Sequence, residues 1–320
     1  MIFTGASITE TEIAQSPAGQ QLTGEPISPG QLAWRRLRRH RMAIAGIVIM
    51  LLLFLYVIVG AFVYPESYAN RTNTAARLQP PSLAHPFGTD AVGRDVLART
   101  IYGGHISLLI GVSAMLVSLV VGVAVGALAG YYGGVIDSVL MRITEAMFNI
   151  PSLFLLIVMA KFFSGRIPPI QVFGRTFSGS VLMIIVVIGL TSWMYLARIV
   201  RANYLSLKER DFVQAAHCLG VRDRRIIIKH ILPNTLAPII VTATLRVAGA
   251  ILSEAYVSFL GLGVQPPTAS WGNMLEGAYK YLESAPWLWF FPGILTVLTV
   301  LSINFVGDGL RDALDPHTLP

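Results

Sequence analysis

Residues 106–129 read ISLLIGVSAMLVSLVVGVAVGALA, twenty-four consecutive positions without a charge. At 1.5 Å per residue a helix of this length reaches about 36 Å, enough to cross a hydrocarbon layer of roughly 30 Å. Five further apolar segments lie near 42–63, 139–163, 181–199, 236–260 and 287–306. Backbone groups in lipid must be satisfied within the segment, so these segments are expected to be helices. The segment 139–163 carries Arg142 and Glu145 early and Pro151 in its middle. A proline there kinks the helix, which a packed bundle tolerates. The expected fold class is therefore all-α, a polytopic membrane helix bundle of six transmembrane helices. No internal repeat is visible.

Composition agrees with the segment reading. The 320 residues are 54% hydrophobic and 13% charged, about half the roughly one-quarter charged fraction of a soluble domain. Mean hydropathy is +0.64. The net charge of +7 does not point to nucleic acid, because the Lys and Arg sit between apolar blocks and not on one face. With residues 35–41 on the cytoplasmic side, the inner segments hold fifteen Lys and Arg and the outer ones eight. Six spans then leave both termini cytoplasmic. Residues 1–33 are polar and expected to be loosely held. Trp34 to Arg41 form a basic anchor at the membrane. No cleavable signal peptide is expected, since the first apolar run starts near Met42 and is too long for a signal core. The boundaries are a tail 1–41, a first span 42–63, an external loop 64–105, a five-span core 106–306 containing a cytoplasmic loop 200–234, and a tail 307–320.

Several residues invite chemistry. One cysteine, Cys218, allows neither an internal disulfide nor a cysteine metal cluster. His85, Asp90 and Asp95 are a conceivable metal set, but nothing fixes a ligand geometry, and no metal site is expected. The six histidines form no H-E-x-x-H, and neither G-x-S-x-G nor the phosphate-cradling G-x-x-x-x-G-K-[ST] occurs. An enzyme at membrane depth is therefore disfavoured, and any ATP hydrolysis must come from another chain. Arg246 and Glu254 lie inside the fifth span, where a central charge facing lipid costs roughly 2.5–3.5 kcal/mol. Eight residues place them about 12 Å apart along the axis and about 80° apart around it. Both are candidates to line a solute path. Alternatively, each pairs with a neighbouring helix, or Glu254 reaches the outer interface. Gly122, Gly126 and Gly130 share one face, either a packing seam or merely the glycine usual in such helices.

The stretch 198–234 is too organised for a plain connector. Ser206-Leu207-Lys208-Glu209 fits a capping box. Phe212, Val213, Ala215, Ala216 and Leu219 supply the apolar part of a short helix, and Gly220 sits where it would stop. Asp223 is placed to cap a second helix. A helix this short holds itself together poorly. It either docks into a partner's groove or is an ordinary amphipathic loop.

Gln214-Ala215-Ala216, then Gly220, His230 and Leu232-Pro233, resemble the EAA loop of binding-protein-dependent ABC importers in every spacing. Gln214 stands for the usual Glu and His230 for the usual Ile. Phe212, Gln214, Ala215, Ala216, Gly220, His230, Leu232 and Pro233 are then the ATPase-coupling residues implied by the resemblance. It extends to His85-Pro86-Phe87-Gly88-Thr89-Asp90 with Gly93-Arg94-Asp95-Val96-Leu97. It also covers Leu260-Gly261-Leu262-Gly263-Val264-Gln265-Pro266-Pro267 with Ser270-Trp271-Gly272, and the stretch from Gly307 to Pro316. These are similar to the dipeptide, oligopeptide and nickel branch. The resemblance implies the MetI-like fold of ABC type I importer permeases in a bacterial or archaeal cell membrane. It also implies a second, related permease subunit, two cytoplasmic ATPases and an extracytoplasmic solute-binding protein. No cofactor is expected on this chain, ATP and Mg being used by the ATPases. The solute is expected to be a di- or oligopeptide, with nickel or another small solute as the alternative and a passive channel disfavoured by the coupling loop. The 261–272 loop either meets the binding protein or caps the bundle.

Overall fold

The computed structural model describes residues 29–163, 165–172 and 175–315. Most of the tail read as loosely held, residues 1–28, lies outside the described residues, as does Pro316 of the last motif. Helix α1 spans Pro29–Arg39 and α2 Arg41–Val63. They meet at His40, whose extended backbone breaks the helix while its Nδ1 accepts the Ala43 amide at 3.1 Å. The basic anchor is thus a helix of its own.

Helix α3 runs over Val96–Tyr132, ten residues longer at its start than the apolar run alone predicts. The reason is local. Asp95 caps the helix by accepting the Ala98 amide at 2.8 Å, and its other oxygen takes the His85 ring Nδ1 at 2.8 Å. Asp90 accepts the amides of Val92 and Arg94 and pairs with the Arg94 guanidinium. The carboxylates once conceivable as metal ligands are therefore spent on turn and cap, and among the described residues no His, Cys, Asp and Glu group forms a metal site. Phe87 stacks on Phe291 with ring centres 3.8 Å apart, clasping the 85–95 segment to the last helix.

The third and fourth spans are each broken. Helices α4 (Gly134–Phe148) and α5 (Ser152–Phe163) meet at 88° across Asn149-Ile150-Pro151. Proline lacks the amide to continue the ladder and pushes the preceding residue out of the helical region. Helices α6 (Gly179–Ser192) and α7 (Met194–Lys208) meet at 42°. Between α5 and α6 a two-stranded antiparallel hairpin, β1 (Ile170–Val172) and β2 (Arg175–Phe177), departs from a purely helical chain. Helices α8 (Asp211–Cys218), α9 (Leu236–Phe259), α10 (Trp271–Ala278) and α11 (Trp287–Leu314) follow. Helix α11 absorbs most of the segment assigned to a C-terminal tail. Four helices are long and apolar enough to span a membrane, or six spans if each bent pair counts as one.

The packing is built on α3. Its largest neighbour is α7, and α6 and α9 flank it. One core joins α3, α5, α6 and α9 through Ile110, Leu156, Ile184 and Val257. The outer surface of α2 leaves Leu51, Leu52 and Phe62 exposed, as a face meeting acyl chains requires. Helices α1 and α11 meet at the chain ends. The Arg36 guanidinium donates to the Asp315 carbonyl at 2.9 Å, and His40 lies 3.3 Å from Asp312. Gly309 packs on Ala43, where no side chain would fit.

Candidate functional site

The segment between α7 and α9 is a helix and two tight turns. Helix α7 continues through Ser206 to Lys208, so Ser206 caps nothing, and α8 begins after Arg210 without a side-chain cap. Asp223 likewise opens the next turn instead of capping it. Gly220 ends α8 as its position predicts. At φ +70° it permits the Gly220 amide to reach the His217 carbonyl at 2.9 Å and the Val221 amide the Ala216 carbonyl at 3.1 Å. A side chain would strain that left-handed geometry.

The two alanines of α8 part company. Ala216 and Val213 are buried against Tyr204, Ile226 and Ile231. Ala215 is exposed, and beside it Phe212 is 42% and Leu219 83% exposed. Ala215 and Ala216, named together as coupling residues, face different ways because adjacent helical residues are turned by ~100°. Phe212, Ala215 and Leu219, spaced three and four apart, form the outward apolar face. Gln214 is exposed and donates to the Lys208 carbonyl at 3.1 Å. His230 is half-buried in the wide turn Ile226–Ile231, where its carbonyl accepts the Asn234 side-chain Nδ2 at 2.6 Å. Leu232 and Pro233 open the tight turn Leu232–Thr235 leading into α9.

This unit is fastened to the spans. The buried Tyr204 of α7 donates its hydroxyl to the Ile227 carbonyl at 3.1 Å. Tyr131, at the end of α3, donates to Asp223 at 2.8 Å and stacks on His217 of α8. Arg201 of α7 forms a bidentate pair with Asp137 of α4, both contacts 2.5 Å. Helix α7 seats on α3 at the glycines. A Cβ on Gly126 would lie 2.5 Å from the Ala197 carbonyl, and one on Gly130 2.6 Å from the Tyr204 Cβ. The glycine face is a packing seam.

The second feature is a pair of cavities along α9. One, of about 620 Å³, lies at the α4–α5 break and is lined by Asn149, Tyr195, Ser253 and Tyr256 among others. The second, of about 850 Å³, runs beside Asn203, Asn234 and Arg311. Arg246 borders both. Its guanidinium lies 4.6 Å from the centre of the Tyr195 ring. Glu254 does not join it. Fully buried, it accepts the Ser107 hydroxyl at 3.0 Å and the Ser258 hydroxyl at 2.7 Å. Ser107 in turn accepts the Trp271 amide, and Ser258 the Val264 amide, both at 3.1 Å. The pairing of both charges on one path is thus corrected. Arg246 borders open space, while Glu254 is drawn into the packing and pins the 261–272 loop.

Residues 122–319 match the family described as binding-protein-dependent transport system inner membrane component. Residues 28–81 match the N-terminal transmembrane domain of oligopeptide transport permease C. The chain belongs to the binding-protein-dependent transport system inner membrane component family. Among its relatives, a dipeptide transport system permease protein of Bacillus subtilis is 43% identical over 291 residues, covering 91% of this chain and 86% of that one. An oligopeptide transport system permease protein of Escherichia coli K12 is 42% identical over 299 residues, covering 93% and 94%. The inward-facing MetNI methionine ABC transporter matches with a TM-score of 0.51 at 20% identity, covering 67% of this chain and 94% of that one. At that identity the likeness is one of fold, and the fold is MetI-like.

The permease carries site residues that sequence reading missed. Tyr195 gave no signal, because its partner Arg246 is fifty-one positions away. Tyr131 lies just past the apolar run 106–129, and its partners Asp223 and His217 are more than eighty positions away. Leu219 was read with the apolar part of the short helix but not as a coupling residue, and the structure leaves it exposed beside Ala215. Tyr204 was the most findable, since it continues the four-residue rhythm of Leu196 and Val200 along the face of α7 that meets the glycine seam.

Proposed function

We propose that this permease is one of two membrane subunits of an ATP-driven importer for dipeptides or oligopeptides, and that α8 is the helix through which cytoplasmic ATPases drive it. The observation carrying the mechanism is the outward face of Phe212, Ala215 and Leu219 on a helix whose other face is anchored to α3 and α7. Exposed leucine and phenylalanine are worth about 1.5–3 kcal/mol each once covered. Ala215 between them lets a partner's backbone approach. A push on α8 would pass through Tyr131 and Tyr204 into α3 and α7, moving spans as rigid bodies between two arrangements.

The peptide reading follows from relatives more than 40% identical over nine-tenths of the chain whose names give dipeptides and oligopeptides as their solutes. The remaining partners are a second, related permease covering the open side of the Arg246 cavities, two ATPases that bind ATP and Mg, and an extracytoplasmic binding protein above the 261–272 loop. Both termini lie in the cytoplasm. The contact between α1 and α11 supports an even number of spans, and the excess of Lys and Arg on that side supports its direction.

The test is Ala215→Asp in cells carrying the whole transporter. A charge forced into the covered interface, with no partner, costs several kcal/mol. Uptake of a labelled tripeptide is expected to fall to background while the variant stays in the membrane at its normal level. Normal uptake by a well-expressed variant rules out docking through this face. Uptake of a nickel chelate but of no peptide by the unaltered transporter rules out the solute.

A further inference from the structure

The geometry points to Arg246 as a binding site for the free carboxylate of the solute, gripping the C-terminus of a peptide as it passes between the two cavities. This rests on the peptide-importer reading above and assigns the chemistry within it.

Arg246 stands ten residues after Leu236 and thirteen before Phe259, the middle of α9. A guanidinium at that depth cannot be left to lipid. Among the described residues no carboxylate pairs with it and no protein acceptor takes its N–H groups; its neighbour is the face of Tyr195, 4.6 Å from ring centre to guanidinium carbon. A ring beneath the guanidinium steadies its plane and leaves the donor edge available. That edge is the group that meets a carboxylate with two parallel hydrogen bonds.

The surroundings fit this use. Among the described residues lining the 620 Å³ cavity, Arg246 is the single charged one. The acid on the same helix that would balance it, Glu254, is fully buried and turned to Ser107 and Ser258. The cavity therefore presents an uncompensated positive charge in a low-dielectric wall, which attracts an anionic group. Gly249, Ser253 and Tyr256 continue from Arg246 at spacings of three, four and three, and all line the same cavity. They make one small and polar strip along α9. Both cavities fall within the few hundred to 1,000 Å³ usual for small-ligand sites. Arg246, Tyr195 and Gly249 border both, so the charge stands at their junction.

The chemistry of the cargo completes the argument. A path that passes peptides of many sequences has few common features to hold. Every unmodified peptide ends in a carboxylate whatever its side chains are. One arginine at the junction recognises that end without reading the rest.

The experiment reconstitutes the complete transporter in liposomes with its binding protein and measures uptake of one tripeptide as free acid and as C-terminal amide. Affinity of the binding protein for each is measured separately, and uptake is compared at saturating loaded binding protein. The unaltered complex is expected to favour the acid, and Arg246→Gln to lose about tenfold or more of acid uptake, the scale of one charge-assisted bidentate contact, while leaving amide uptake near its starting value. Arg246→Met serves as a second neutral variant if the Gln variant does not assemble with its ATPases. Arg246→Lys is expected to restore part of the preference. An acid-to-amide ratio unchanged in an assembled neutral variant overturns the assignment. So does equal loss of both substrates, which marks Arg246 as structural. An unaltered complex that takes up neither peptide overturns the peptide-importer reading itself.

Discussion

Glu254 carries a carboxylate into packed protein among hydroxyl donors, and its value to the fold lies in what those hydroxyls hold next. Ser107 belongs to α3, Ser258 to α9, and the amides they accept, of Trp271 and Val264, belong to the start of α10 and to the loop before it. One side chain thus ties two spans to the loop. Glu254→Ala strands two buried donors and opens a void, which together cost about 2–5 kcal/mol. The expected result is a lower unfolding temperature of the detergent-solubilised complex and faster amide exchange across 261–272. Glu254→Gln keeps an acceptor and the volume, so most of the stability should return. Equal stability of the Ala variant and the parent would show that the network is idle. From sequence, Glu254 and Arg246 were one pair of membrane-depth charges. Their spacing gave axial and angular offsets but no neighbours, and neighbours decide which charge is satisfied internally and which borders a cavity.

The element that sequence reading recovered best is the α3–α7 seam, because small residues four apart on one helix face have a direct packing consequence. Gly126→Val should force α7 off α3, since even the first carbon meets the Ala197 carbonyl at 2.5 Å and the Val200 Cβ at 2.7 Å. Overpacking of this kind costs about 1–3 kcal/mol. The variant is expected to assemble poorly or to hydrolyse ATP without moving solute, because α7 carries Tyr204 and the near side of α8. Gly277→Ala, which meets nothing within 4 Å, is the control and should behave as the parent. Wild-type coupling in Gly126→Val would remove the seam from the mechanism. Boundaries were recovered less well. Hydropathy alone started the second span at residue 106, where the apolar run begins, but the helix starts ten residues earlier, at Val96, behind the Asp95 cap. The capping-box reading of Ser206 failed for the converse reason: α7 runs on to Lys208, held by its burial against α3, which overrides a local start signal. The EAA-like loop was legible through its spacing. Which of its alanines faces outward was not, because that depends on the buried Tyr204 beneath.

Across the whole molecule the orientation ties these parts together. Helices α1 and α11 meet at one end through Arg36 and Asp315, and with each bent pair counted as one span α8 follows the fourth of six, which returns it to that end. If that end is cytoplasmic, Cys218 is a cytoplasmic thiol, exposed at the last turn of α8 and three residues from Ala215. It is the one cysteine in the 320 residues, so labelling of this chain reports a single site. A membrane-impermeant maleimide is expected to leave the thiol unmodified in spheroplasts and to modify it in inverted vesicles stripped of ATPases. Adding the ATPases back should slow modification several-fold, because a partner covering Phe212, Ala215 and Leu219 shades the neighbouring sulfur. Modification from the outside would reverse the orientation, and with it the assignment of α8 to an ATPase. Modification of inverted vesicles at the same rate with and without ATPases would keep the orientation and remove the coupling role. The two failures differ because one reads the side of the membrane on which the sulfur lies and the other reads what covers it.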